Sequence, residues 1–455
     1  MLSIHWLYNQ TGEEWLLEVA RTAAEQGYDW RTHFAEFRYR DRTKREACKL
    51  ETHVVNSAMA VKTGGVWYRQ SANPKDRESV YQTLDALDRY HGQVTGVFTG
   101  DEHYAGLEPT QGTELCAVVE FMYSLEELLP VLGDPLLADR LERIAFNALP
   151  AAFTPDMWAH QYDQQANQVL CTVAPRAWTL NDDTSNTFGL EPNYGCCTAN
   201  LHQGWPKLVR SLWMATPEGG LAALAYAPCE VSTTVGDGVP VTVTEHTDYP
   251  FRDCILLTIA PEREVQFPLM LRVPRWAEGA TVQVGEGAPI AVDPGSFYTI
   301  DAVWKPGDTV LLSFPMHVRP EPRLHGSVSL LRGPLVFSLR IGEEFRLLKG
   351  TPPRADWEVL PTTPWNYGLV LERQTDDLGL RVEEAGVSEL PFDPAAPPVV
   401  LKARARRIPD WGMDRNSAAP VPEGPVSSRE PLEEVELIPY GSAHLRITEF
   451  PEVVG

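Results

Sequence analysis

Glu114-Leu-Cys116 and the adjacent pair Cys196-Cys197 are residues whose types could do chemistry together. Thiolate sulfur and carboxylate oxygen are ordinary zinc ligands, and four of them close a tetrahedral shell. The spacing is not that of a zinc finger or ribbon, because two candidates are neighbours and the other two are one residue apart. Positions i and i+2 of a helix point about 200° apart, so Glu114 and Cys116 can share one ion only where a helix begins. Thr113 reads as the cap at that point. Four anionic ligands around a dication leave net negative charge, which hints at more than a structural staple. A metal that lowers a thiol's pKa would leave one cysteine a strong nucleophile at neutral pH, while its neighbour holds the ion. Spacing alone keeps the plainer reading open: Cys116 lies among the core positions of an amphipathic helix, where buried, inert cysteine is common.

A nucleophile of this kind needs an acid. Gly100-Asp-Glu-His-Tyr104 lies just upstream of the 114–116 motif in a Gly-flanked loop, a usual place for such a group, and a solvated acidic loop is the competing reading. His53, in Glu51-Thr-His-Val-Val-Asn56, falls inside an apolar helical pattern and reads first as a hydrogen-bonded core histidine. The run His160-Gln-Tyr-Asp-Gln-Gln-Ala-Asn-Gln168 surrounds Tyr162 with amides that suit sugar hydroxyls. Turn composition explains that run equally well.

The elements that must position these residues change character along the chain. Up to about residue 215 the apolar spacing is helical, most clearly over 113–132, where Leu115, Val118, Val119, Met122, Leu125, Leu129 and Leu132 recur at three and four residues. Further helices are expected over 12–26, 48–64, 78–91, 134–149 and 200–214. Past Gly219-Gly220 short β runs with Pro-Gly and Gly-Asp turns take over, as in Ile255-Leu-Leu-Thr-Ile259 and Thr309-Val-Leu-Leu-Ser-Phe314. A second β stretch starts near Gly326, interrupted by Pro-rich surface loops. The expected organisation is a multidomain α + β chain: a helical part over 1–215, one β-sandwich over 216–320 and a second over 321–455.

Composition narrows the partners. With 62 acidic against 39 basic residues the formal charge is −23, which repels phosphate backbones and anionic membranes, so nucleic acid and membrane are not expected partners. The start MLSIHWLYNQTGEEW lacks the pattern of a signal peptide and no apolar run of about 18 residues occurs, which leads to the expectation of a cytoplasmic protein. Seven cysteines in such a chain are expected to be reduced rather than paired.

Six stretches carry a resemblance: Gly112-Thr-Glu-Leu-Cys-Ala117, Leu141-Glu-Arg-Ile-Ala-Phe-Asn147, Tyr194-Gly-Cys-Cys-Thr-Ala-Asn200, Leu271-Arg-Val-Pro-Arg-Trp-Ala277, Trp304-Lys-Pro-Gly-Asp308 and Leu331-Arg-Gly-Pro-Leu-Val336. In this order they resemble the bacterial glycoside hydrolases typified by β-L-arabinofuranosidases. The resemblance implies an (α/α)6-barrel catalytic domain followed by two β-sandwich domains, and retaining hydrolysis through a zinc-bound cysteine. It makes Glu114, Cys116, Cys196 and Cys197 the Zn2+ ligands, Cys196 the nucleophile and Glu102 the acid/base. His53 and Tyr162 fall where the family places sugar-contacting residues. The implied partner is a glycan whose terminal sugar is β-L-arabinofuranose or a related furanoside, and a homodimer is one expected assembly.

A six-hairpin barrel has twelve helices, whereas about seven are legible before the β region. The chain therefore reads as a homologue lacking the N-terminal part of the barrel. Two other functions follow from the same residues: a catalytically impaired carbohydrate-binding or scaffold protein with a structural zinc site, and a thiol redox or zinc-storage protein. The second is disfavoured because adjacent thiols are not a Cys-x-x-Cys motif.

Overall fold

Helices fill the first part of the chain in the computed structural model, which describes residues 1–190, 194–375 and 377–454. They are α1 (Leu2–Thr11), α2 (Trp15–Gln26), α3 (Trp30–Ala35), α4 (Val54–Ala60), α5 (Thr63–Ser71), α6 (Pro74–His91), α7 (Leu115–Leu132), α8 (Pro135–Arg143) and α9 (Gly195–Ser211). The central element is α7, which touches α4, α5, α8 and α9. Its buried positions run around most of the helix, from Leu115 to Leu129, as expected for a helix surrounded by others. No helix among the described residues is long and apolar enough to cross a membrane.

Helix limits differ from the sequence pattern in places where a side chain outcompetes the helical ladder. The 48–64 segment breaks at His53, whose Nδ1 accepts the Val55 N–H at 3.2 Å and caps α4. The 134–149 segment leaves α-geometry after Arg143 and continues as a single π-turn over Ile144–Ala148. There the Asn147 amide donates to Pro334 O at 2.9 Å and its Oδ1 accepts Val336 N–H at 2.8 Å. α9 starts at Gly195, five residues before the start expected from apolar spacing, because its first turn is polar and half exposed.

The β region begins with two facing sheets. One has the strand order Ile290–Ala291, Thr281–Val284, Asp308–Ser313, Cys254–Pro261, Val239–Thr247, Cys229–Val235; the other runs Ser296–Trp304, Val265–Val273, Leu221–Ala223, Trp213–Ala215. Alternate residues such as Ile255, Leu257 and Ile259 on one sheet and Phe267, Leu269 and Leu271 on the other are buried in a common core, the period-two pattern of a sandwich. A seven-stranded antiparallel sheet follows, built on Val318–Pro322, Val328–Arg332, Leu335–Leu339, Leu432–Pro439, Val399–Arg407 and Tyr367–Leu369, with Arg381–Glu384 also paired to Val399–Arg407. The molecule is thus a helical domain followed by β domains.

Several of the recurrent sequence stretches turn out to lock these parts together. Arg272, fully buried on its β-strand, ion-pairs with Asp139 and Glu142 of α8, and Glu142 also accepts Tyr249 OH at 2.5 Å and Tyr226 N–H at 3.0 Å. Asn147 holds the turn at Pro334 as described. The amide run behaves likewise. Asn167 Oδ1 accepts Thr448 and Glu449 N–H at 2.8 and 3.0 Å, and Gln168 exchanges backbone hydrogen bonds with Arg446. These amides are committed to the chain segment 446–449 that follows the seven-stranded sheet, not to a ligand. Replacing Arg272 by methionine leaves two acids without their buried cation, so urea denaturation should show a loss of about 3–5 kcal/mol. Adding Glu142→Gln to that variant should recover part of it, and additive losses would contradict the pairing.

A second buried acid should act in the opposite sense. Glu126, on α7, is 2% exposed and neither carboxylate oxygen has a donor. Burial pushes its pKa up to about 8, against the opposing pull of Arg210 and Lys207. Below the unfolded value of about 4.3 both states hold the proton; above it the unfolded chain ionises first and folding stability is lost as pH rises toward 8. Glu126→Met should therefore stabilise the protein by an increment that grows by about 3–5 kcal/mol between pH 4 and pH 8 in denaturant titrations. A pH-independent increment would contradict this placement of the proton.

Candidate active site

Two helix starts converge to make the site. Strand β1 (Thr113–Glu114) pairs antiparallel with β2 (Asp163–Gln164), setting Glu114 opposite Asp163. Glu114 N–H donates to Gly100 O at 3.0 Å and Leu115 N–H to Tyr162 O at 2.9 Å, so the extended chain is held until the residue where α7 begins. Glu114 itself occupies the N-cap position with extended φ/ψ and no capping bond from its side chain; Thr113, expected as the cap, lies in the strand. That strand-to-helix change lets Glu114 and Cys116 face the same side. Cys196 and Cys197 lie in the first turn of α9, which packs along α7. Gly204 permits the close approach of α9 to the helical core: a Cβ there would stand 2.9 Å from the Leu149 side chain.

One ligand atom from each of Glu114, Cys116, Cys196 and Cys197 lies within 4.8 Å of the others, and Cys116 Sγ is 3.3 Å from Cys197 Sγ. All seven cysteines are free thiols. Glu114 is 2% exposed and its Oε2 has no hydrogen-bond partner. Burial, then the Cys116 thiol and the Asp163 carboxylate, hold its pKa well above the usual range. Asp163 is fully buried, both of its oxygens lack donors, and burial with neighbouring Asp101 likewise drives its pKa up. Acids and thiols crowded in this way, with an orphaned carboxylate oxygen among them, form a site that could hold a metal cation.

The thiols are not equivalent. Cys197 is fully buried, and burial followed by the thiols of Cys116 and Cys196 pushes its pKa up. Cys196 is exposed, and hydrogen bonds from the Cys197 thiol, from Cys116 and from backbone N–H groups pull its pKa down to about 6. Its place at the start of a helix is the familiar setting for a stabilised thiolate. Cys116 is 2% exposed and accepts a hydrogen bond from Asn200 Nδ2 at 3.1 Å.

The acidic loop is built around Gly100, whose φ of +137° no other residue adopts readily and where a Cβ would collide with His103 O. Side chains alternate from there. Asp101 and His103 turn inward, paired at 2.5 Å, and Asp101 Oδ2 also accepts Leu180 N–H and Thr179 OH at 2.8 and 2.9 Å. Glu102 turns outward, with Oε2 at 3.2 Å from His53 Nε2. Because His53 Nδ1 accepts the Val55 N–H, the neutral ring carries its proton on Nε2 and donates it to Glu102. His53 is therefore not the core histidine of an apolar helix; it is a half-exposed cap beside a half-exposed carboxylate. Tyr162 is 2% exposed, stacks on Tyr194 with ring centres 3.9 Å apart and accepts Asn181 Nδ2 at 2.6 Å. After burial, the carboxylates of Glu114, Asp163, Asp101 and Glu102 raise its pKa, which ties all four to one neighbourhood. Two residues of this neighbourhood escape sequence reasoning. Asp163 sits in a run whose amides drew attention away from it, and Asn200 is visible only as the residue four after Cys196.

Comparison with known proteins adds the class. Residues 1–210 match the family profile "Beta-L-arabinofuranosidase, GH127 catalytic domain" and residues 220–316 match "Beta-L-arabinofuranosidase, GH127 middle domain". Among solved structures, a glycoside hydrolase aligns over 100% of this chain and 74% of its own, at 17% identity and a TM-score of 0.71. A GH127 β-L-arabinofuranosidase from Geobacillus stearothermophilus T6 aligns over 99% of this chain and 71% of its own, at 20% identity and a TM-score of 0.69. A further GH127 β-arabinofuranosidase aligns over 99% and 68%, at 17% identity and a TM-score of 0.68. Among curated proteins none matches. At these identities the structural likeness is one of fold, and the two profiles carry the assignment to the glycoside hydrolases, enzymes whose substrates are glycans. Within that class the chain belongs to family 127 and is β-L-arabinofuranosidase-like.

Proposed function

We propose that this chain is a retaining, exo-acting glycosidase that releases a terminal β-L-arabinofuranose or related furanoside, with Cys196 as nucleophile and Glu102 as acid/base. In this reading the helical domain that carries the chemistry spans 1–215, with β domains over 216–320 and 321–455. The observation that carries the reading is the meeting of four ligand atoms within 4.8 Å of one another, of which only the Cys196 thiol belongs to an exposed residue. Three thiols and one carboxylate are a donor set for Zn2+, and tetrahedral Zn–S bonds of about 2.3 Å require neighbouring sulfurs about 3.8 Å apart. The Cys116 and Cys197 sulfurs, 3.3 Å apart, are closer than that and would have to separate slightly to take the ion, while the orphaned Glu114 Oε2 is a ligand atom with no other partner to give up. Bound there, zinc would offset the charge of the thiolates and keep Cys196 deprotonated at neutral pH.

The reaction then needs two displacements. Cys196 Sγ attacks the anomeric carbon as the bond to the leaving oxygen breaks, and Glu102 delivers its proton to that oxygen. The resulting thioglycoside is cleaved by water, whose proton goes to the Glu102 carboxylate as the C–S bond returns its electron pair to sulfur. Two inversions give net retention, with a thiolate in the place of the usual nucleophilic carboxylate. His53, donating to Glu102, holds the acid in position beside the sugar. Tyr162, almost fully buried, stacked on Tyr194 and hydrogen-bonded at its hydroxyl by Asn181, leaves little surface for a sugar contact.

Proton NMR during cleavage of an aryl β-L-arabinofuranoside tests this reading. The first sugar signal is expected to be the β anomer; the α anomer first, or no cleavage of any furanoside, would contradict it. Metal analysis should find about one zinc per chain, and prolonged chelation should remove turnover and lower the thermal midpoint together. Full turnover in a metal-free preparation would remove zinc from the scheme.

A further inference from the structure

Three thiols share the cluster, and the proposed chemistry requires that only one of them change partners. Burial alone separates Cys196 from the other two but does not explain why the Cys116 thiolate should keep its place while Cys196 bonds to carbon. The surroundings of Cys116 supply a reason. Asn200, one turn into α9, points its amide at Cys116 Sγ with Nδ2 at 3.1 Å. The amide cannot turn over freely, because Gln203 Nε2 donates to Asn200 Oδ1 at 3.0 Å from the next turn of the same helix. With Oδ1 occupied as acceptor, Nδ2 is the atom that faces the sulfur. The pair is a relay in which Gln203 orients Asn200 and Asn200 donates to Cys116.

A hydrogen bond to a thiolate lowers the energy of the sulfur lone pair. It makes that sulfur a weaker nucleophile toward carbon and a more settled ligand, since groups that hydrogen-bond to metal ligands fix their orientation and commonly change affinity 10–100-fold. The hydrogen bonds to the Cys196 sulfur, by contrast, come from thiols and from backbone N–H groups of the helix start, and its other close neighbour in the cluster is the Glu114 carboxylate, within 4.8 Å. We propose that Asn200, oriented by Gln203, is a positioning residue that holds Cys116 as a permanent ligand of the cluster and so confines bond formation with the sugar to Cys196. The proposal rests on the metal-bound thiolate reading above, and its readouts do not depend on turnover.

The test uses the full chain loaded with Co2+, whose sulfur-to-metal charge-transfer bands report on the ligating thiolates. Cobalt binding by the unaltered protein is established first. Its absence would overturn the metal-centre reading itself, before any variant is compared. Asn200→Leu keeps the γ-branched shape and removes the donor. Charge-transfer absorption is expected to move to longer wavelength, as an unbonded sulfur lone pair is easier to oxidise, and metal affinity in chelator competition should fall about 10–100-fold. Gln203→Leu leaves Asn200 in place but unoriented, and should give a smaller shift in the same direction. It carries the test should Asn200→Leu fail to fold. Unchanged bands in the folded variants would overturn the proposal, and so would a loss of affinity without a band shift, which would make Asn200 a packing residue only.

Discussion

Cys196→Ala should bring turnover down by at least about 10^3-fold, the scale on which removal of a covalent nucleophile acts, while the protein stays folded. Cys196 is the exposed member of the cluster, and its loss empties no core volume. Three ligands, Glu114, Cys116 and Cys197, remain to hold a metal, so zinc content should fall only in part. Cys197→Ala makes the informative contrast. That thiol is fully buried between α7 and α9, so its removal should cost both metal and stability along with activity. Stopped turnover with metal retained at position 196, against collapse of all three properties at position 197, separates a nucleophile from a structural ligand. Ordinary turnover by Cys196→Ala on an aryl furanoside would leave the cluster as a staple for two helices.

Glu102→Gln should lower kcat by about 10^2–10^4-fold on substrates with poor leaving groups, the usual range for a general acid. The loss in kcat/KM, which reports formation of the thioglycoside, should shrink with the leaving group's need for a proton, so an aryl glycoside of low leaving-group pKa should form the thioglycoside readily and then stall with kcat still low. Hydrolysis becomes the slow step because no carboxylate remains to activate water. An equal loss of kcat/KM on both kinds of substrate would argue that Glu102 acts on binding and not on proton transfer. His53→Ala should produce a milder version of the same pattern, since it removes the 3.2 Å partner of Glu102 and the cap of α4 but leaves the carboxyl in place.

How far the sequence discloses such a site depends on whether the relevant contact is local. The requirement that Glu114 and Cys116 meet at a helix start follows from helix geometry, and the strand-to-helix change at Glu114 meets it. The switch from helical to β periodicity after Gly219-Gly220 is equally local, because periods of 3.6 and 2 are written in the spacing of apolar residues. The limits of single elements are less legible. His53 looks like a core residue in an apolar run, and only its capping bond to Val55 reveals that the helix starts after it. The π-turn after α8 is set by Pro334 and Val336, partners nearly two hundred residues away, which no local pattern contains.

The amide-rich run shows the same limit from the other side. Gln164, Asn167 and Gln168 have the composition of a sugar-binding loop, yet Tyr440, Thr448 and His444 take up their hydrogen bonds. A buried backbone segment must satisfy its polar groups, and side-chain amides supply that service wherever two domains meet without a shared sheet. Asp163, lodged in the same run, joins Glu114 as a residue with unmet hydrogen-bonding capacity at the cluster. A buried carboxyl without a hydrogen-bond partner marks it more clearly than composition does.

Mass spectrometry of the thioglycosyl intermediate bears most directly on Cys196. Glu102→Gln would be mixed with an aryl β-L-arabinofuranoside of low leaving-group pKa, quenched in acid and digested. The expected result is one pentosyl group, appearing within the burst of released phenol and located by fragmentation of its peptide at Cys196, with Cys197 and Cys116 unmodified. A burst of phenol with Cys196 unmodified, or with the sugar on a carboxylate, would contradict the assignment of Cys196 as the nucleophile.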